Sequence, residues 1–132
     1  MLKKIECTIF RGGTSKGVFF LEKHLPPAGP ERDKILLSIM GSPDIRQIDG
    51  LGGAVSTTSK AAIISVSERE DADVDYTFAQ VSIDKPIVDY NGNCGNISSA
   101  VGPYAIEMGL VNGEDPETVV RIYNTNTKKI IH

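Results

Sequence analysis

Three short stretches of this chain carry residue types that can do chemistry. In "NCGN" (93–96), Cys94 stands among small polar residues just ahead of a segment whose spacing predicts a helix over about 96–108. The first-turn N–H groups of such a helix, at Cys94, Gly95 and Asn96, and the positive end of its macrodipole make a site for an anion, well suited to a carboxylate. The same field lowers the pKa of a thiol placed there. Gly95 allows close approach to the backbone, and Asn93 and Asn96 can cap the helix or bond a ligand oxygen. The residues alone equally allow a capped helix with an incidental cysteine.

The second stretch is "RGGTSKG" (11–17), where Gly13, Thr14 and Ser15 can form a backbone nest with two hydroxyls around an oxyanion. Gly-Gly-Thr-Ser is also ordinary turn chemistry. It is not a phosphate-binding P-loop, because the spacing differs and a strand rather than a helix follows. The third is "STTSK" (56–60): Ser59 and Lys60 stand at the mouth of the apolar run "AAIISV". A lysine partly desolvated in that way has a lowered pKa and can act as a base near neutral pH, while a lysine snorkelling from a strand end would look the same. "DGLGG" (49–53), just upstream, reads as a turn or a flexible backbone wall. His24 and His132 have no partners in the sequence and are read as non-functional.

The elements that must position these groups follow from periodicity. "KKIECTIFRGG" alternates with Ile5, Cys7 and Ile9 on one face, which predicts a half-buried strand with Cys7 as a small core residue. "GVFFL" (17–21) predicts a second strand joined to the first by a tight connection. "PERDKILLSIMG" (30–41) carries proline and acids at a helix start, Ile35, Leu36, Ile39 and Met40 along a stripe, and glycine at its stop. A Gly/Ser/Thr-rich loop (44–59) leads into strand 60–67, and "VDYTFAQVSI" (74–83) is a further strand. The second helix buries Ile97, Val101, Tyr104, Ala105 and Met108, has Gly109 as its cap, and is expected to bend or break at Pro103. The ending "TVVRIYNTNTKKIIH" reads as a strand, a polar turn and a second strand cut short, which predicts a fragment of a longer protein.

The 132 residues, 40% of them hydrophobic, suit one globular domain that buries roughly two thirds of its unfolded surface. The net charge of −3, with lysine and arginine scattered, argues against nucleic acid or an acidic lipid surface as a partner. No apolar run approaches a membrane span and the N-terminus lacks a signal-peptide core, so a cytoplasmic protein is expected. Cys7 and Cys94 have no zinc or redox spacing and are expected to be free thiols, with no metal site.

In this order, "FRGGTSKGVFF", "DGLGG", "TSKAAIIS" and "NCGNISSAVGPYAIEMGL" resemble the PrpF family of methylaconitate and methylitaconate isomerases and oxalomesaconate tautomerases, over essentially the whole chain. The resemblance implies an α+β, diaminopimelate epimerase-like domain: a mostly antiparallel sheet wrapped about a central helix. It further implies that residues 1–132 are the N-terminal domain of a two-domain isomerase, nearly inactive by itself, with the site in a cleft completed by a second domain absent from this chain. It implies a cofactor-independent proton shift in a small unsaturated di- or tricarboxylic acid. The family lysine falls on Lys60, its cysteine on Cys94 and its substrate-contacting serine on Ser15. Lys60 is then the expected base, and Cys94 either the partner acid or a lining of the carboxylate site. Gly13, Thr14, Ser15, Ser59, Gly95 and Asn96 are the expected substrate contacts. The alternatives are an amino-acid epimerase or racemase of the same fold, or a non-catalytic carboxylate-binding accessory domain. Exposed sheet edges predict some self-association.

Overall fold

Strands β2 (Ser15–Leu21) and β3 (Lys60–Val66) are nearly unbroken apolar runs, the pattern of strands covered on both faces. In the computed structural model, which describes residues 5–47, 50–92, 94–111 and 119–131, they lie at the centre of a mixed sheet. The other strands are β1 (Thr8–Gly12), β4 (Val74–Val81), β5 (Val88–Asp89), β6 (Ile122–Asn124) and β7 (Lys129–Ile131). The sheet order is β1-β2-β3-β4-β6-β7, with β5 also on β4. Antiparallel pairings predominate, and β2–β3 and β4–β6 are parallel. This is the expected α+β architecture. Helices α1 (Pro30–Met40) and α2 (Gly95–Glu107) cover opposite faces.

Because side chains alternate along a strand, each central strand feeds two cores. Phe19, Ala62, Ile64, Tyr76 and Phe78 point toward α2 and meet Ile97, Val101, Tyr104 and Ala105. Val18, Phe20, Ala61, Ile63 and Ala79 point the other way and meet Leu36, Leu37 and Met40 of α1. Proline opens α1 and Gly41, in the left-handed region at φ 84°, closes it, as the sequence predicts. Its buried stripe gains Leu37, while Ile35 and Ile39 are only half-buried. Helix α2 runs unbroken through Pro103. Pro103 and Ser99 are both exposed, so the Ser99 carbonyl that loses its helical donor lies on the solvent side.

The first strand departs from the sequence reading. Cys7 is exposed and precedes β1, and Ile9 is 54% exposed. The residue that packs inward is Phe10, whose ring lies 5.5 Å from Phe19 and 6.0 Å from Tyr104 by centroid. Ile9 pairs with Val18 and so shares the α1 face, but α1 lies over β4 and β5 and does not reach the β1 edge. The alternation does not extend through the segment: Ile5 packs against the α1-side core, whereas Cys7, ahead of the strand, lines a cavity with Tyr104 and Met108 of the α2 side.

Candidate active site

The β1–β2 hairpin, the start of β3 and the start of α2 converge because their residues allow unusually close approach. Gly12 pairs with Ser15 across the two-residue turn Gly13–Thr14, and Gly13 takes φ 54°. A Cβ on Gly12 would stand 1.9 Å from the Asn96 carbonyl oxygen, so only glycine lets the hairpin lie on the first turn of α2. In the parallel ladder Gly17 is opposite Lys60, and a Cβ there would press at 2.9 Å on Ile97 Cδ1. By alternation Ser15, Gly17 and Lys60 all face α2.

The result is a buried triangle. Lys60 Nζ donates to Ser15 Oγ at 3.0 Å and to Cys94 Sγ at 3.1 Å, and Ser15 Oγ lies 3.8 Å from Cys94 Sγ. Exposures are 0% for Ser15, 9% for Lys60 and 8% for Cys94. Cys94 is itself the N-cap of α2, its sulfur accepting the Ile97 N–H at 3.4 Å. The Asn93 part of the expected cap lies outside the described residues. Burial opposes ionisation of Cys94, but the Ile97 N–H, the Lys60 ammonium and the Ser15 hydroxyl together outweigh it, and the thiol is held below its ordinary value.

Around this triangle the surface is polar and open. Gly13, Thr14, Gly95 and Asn96 are exposed. Asn96 Nδ2 donates to Thr14 Oγ1 at 2.8 Å, which ties the hairpin turn to the helix and leaves the Thr14 O–H free to donate to a ligand oxygen. The first-turn N–H groups of Gly95 and Asn96 have no intrahelical acceptors. Ser59 is placed differently: it is fully buried, its hydroxyl donates to the Val81 carbonyl at 2.8 Å and accepts from Gln47 Nε2 at 2.8 Å. His24 Nδ1 lies 3.7 Å from Glu6 Oε2 at the far end of the α2 face, beside Tyr104 and Met108, while His132 lies outside the described residues.

Gln47 is the residue the sequence did not single out. It is almost fully buried at φ 48°, bonds Ser42 Oγ at 3.0 Å and Ser59 Oγ, and accepts the Ala54 N–H at 2.7 Å. A Cβ on Gly52 would stand 2.3 Å from its amide. "DGLGG" is thus a wall folded over the Gln47 side chain, whose Asp49 lies outside the described residues. No group of three or more candidate metal ligands occurs among the described residues, and both cysteines are free.

The PrpF protein family model matches residues 2–132. The chain belongs to the PrpF family. The PrpF relatives include the 4-oxalomesaconate tautomerase of Pseudomonas putida, 59% identical over 96% of this chain and 35% of its own length. The 3-methylitaconate isomerase of Eubacterium barkeri is 58% identical over 98% of this chain and 34% of its own. A crystal structure of methylitaconate-delta-isomerase superposes with a TM-score of 0.93 at 60% identity, covering 96% of this chain and 33% of that one. This PrpF chain therefore spans about a third of the length of the relatives it matches. No helix among the described residues is long and apolar enough to cross a membrane.

Proposed function

We propose that this chain carries the proton-transfer half of an isomerase that moves a double bond in a small unsaturated di- or tricarboxylic acid. The observation that carries the reading is the direct Lys60 Nζ to Cys94 Sγ contact at 3.1 Å, buried beneath an exposed rim of Thr14, Gly95 and Asn96. A 1,3-shift needs one group to take a proton and another to return one to a carbon about 2.5 Å away. Lys60 and Cys94, side by side, can serve both carbons from one face.

The bookkeeping closes with a single mobile proton. Proton transfer across the Lys60–Cys94 contact turns ammonium and thiolate into amine and thiol; Lys60 then removes the allylic proton, the anion delocalises into the adjacent carboxylate, and Cys94 protonates the far carbon. The pair is left as ammonium and thiolate, and transfer across the 3.1 Å hydrogen bond resets it. In the reverse direction Cys94 is the base and Lys60 the acid. Rim donors at Thr14, Gly95 and Asn96 hold the carboxylates whose charge develops during the shift. The same delocalised anion permits cis–trans isomerisation by rotation. Ser15 keeps Nζ aligned between the two positions.

Relatives named 4-oxalomesaconate tautomerase, 3-methylitaconate isomerase and 2-methyl-aconitate isomerase support this substrate class. The open rim and the one-third coverage support a second domain that closes over the site. A two-thiol epimerase fits less well, since the Cys94 sulfur meets a lysine and Cys7 is exposed ahead of β1. The test is proton NMR in deuterium oxide with full-length protein and each of the three acids. Allylic deuterium incorporation, abolished in Lys60→Ala, is expected. No exchange with any of them would favour a non-catalytic carboxylate-binding domain.

A further inference from the structure

Proton transfer does not exhaust what a lysine amine lying against a thiolate can do. Cys94 Sγ accepts from Lys60 Nζ at 3.1 Å and from the Ile97 N–H at 3.4 Å, and lies beside Ser15 Oγ at 3.8 Å. These are the surroundings of a nucleophilic thiolate, and thiolate character is what directs peroxide to one cysteine rather than another. A sulfenic acid formed here would find as its nearest nucleophile an amine on a flexible stem, held in place by Ser15. Cys7 is exposed ahead of β1, and neither Lys60 nor a helix start is its partner.

We propose that peroxide joins Cys94 to Lys60 through a covalent sulfur–nitrogen bond, a reversible oxidative lock on this site. The Cys94 thiolate attacks one peroxide oxygen, the O–O bond breaks, and the sulfur, oxidised by two electrons, becomes a sulfenic acid. The hydroxide released takes one proton from the Lys60 ammonium, giving water and the free amine. Nζ then attacks sulfur; the S–O bond breaks, and the leaving hydroxyl departs as a second water with a proton from nitrogen. Overall, thiolate, ammonium and one peroxide give the S–N link and two waters. The link holds the two groups in one bond, protects the sulfur from further oxidation, and is opened by attack of an external thiol on sulfur. It rests on the contact geometry and does not require the isomerase reading.

The test uses the 132-residue chain with Cys7→Ser, treated with hydrogen peroxide, digested without reductant and analysed by mass spectrometry. The expected product is a pair of peptides joined between Lys60 and Cys94, lighter by two hydrogens than their sum and separated by dithiothreitol. In Lys60→Arg, which keeps the positive charge but lacks an amine nucleophile, the joined peptides are absent and Cys94 gains two or three oxygens instead. The proposal is overturned if the lysine-containing chain gives the same oxygenated Cys94 and no joined peptides, or if the joined peptides carry an added oxygen. Neither result depends on turnover, so failure here and failure of the isomerase reading are separately visible.

Discussion

Replacing Lys60 by methionine keeps most of the apolar stem and removes the charge that stabilises the Cys94 thiolate. The lost interaction is a charged hydrogen bond at 3.1 Å between groups less than a tenth exposed. Hydrogen bonds to charged groups contribute about 1.5–3 kcal/mol, and one pKa unit corresponds to about 1.36 kcal/mol. The Cys94 titration should therefore move up in Lys60→Met, and alkylation at a fixed pH below the midpoint should slow by about ten- to a hundredfold. The sign is unambiguous: burial is the largest influence on this thiol and already opposes ionisation, so only the Ile97 N–H and the Ser15 hydroxyl remain to resist it. The assay is the pH dependence of iodoacetamide alkylation in a Cys7→Ser background, with retained cooperative melting as the check on folding. A midpoint that stays in place, or falls, would refute the claim that Lys60 sets the state of the thiol.

Three further outcomes are expected. Gly12→Ala must push the hairpin off the Asn96 carbonyl and should lower stability by about 1–3 kcal/mol in urea unfolding, while also slowing Cys94 alkylation; a neutral variant with unchanged thiol chemistry would contradict the close packing. Gln47→Ala removes the donor to Ser59 Oγ, strands the Ala54 N–H and should cost about 1–3 kcal/mol, measured the same way, with protease cleavage appearing in the 50–55 segment. Burial first, then the charges of Cys7 and Glu6, push the Tyr104 phenol from 10.0 up to about 12. Its stabilising contribution is complete below pH 10 and is lost as pH rises through about 12, so the urea midpoint should fall more steeply over that interval than in Tyr104→Phe; parallel profiles would sink the assignment.

Where one physical effect dominated, the sequence was enough. Strands β2 and β3 carry unbroken apolar runs at Phe19–Leu21 and Ala61–Ile64, β4 alternates, and both helices carry apolar stripes, so only the expected break at Pro103 failed to appear. Cys7 is misplaced because strand periodicity carries past the start of β1 at Thr8, and Ile9 because alternation does not tell how far α1 reaches over an edge strand. Strand β5 escaped notice because two residues, Val88 and Asp89, hold no periodicity. The Lys60–Cys94 contact was invisible locally, since it joins positions 34 residues apart through a parallel ladder and a helix start. Cys94 was not read as the N-cap because sulfur is a weak acceptor, strengthened here by its tendency to ionise. Gln47 sits in a loop whose composition suggests flexibility, and only the fold shows that its amide gives the loop a centre.

The triangle of Ser15, Lys60 and Cys94 is drawn from three segments far apart along the chain: a hairpin strand, the next strand of the sheet and the helix that lies on them. The Ile97 N–H travels with Cys94 in the helix, but Nζ and the Ser15 hydroxyl reach the sulfur only when α2 is seated on the sheet. Thiol nucleophilicity near neutral pH is therefore a late-arriving property during assembly, a gauge set to read only when hairpin, sheet and helix have docked together. A fast alkylating pulse at successive refolding times would register that docking at one atom, independently of any dye or fluorescent ring, in a chain that contains no tryptophan.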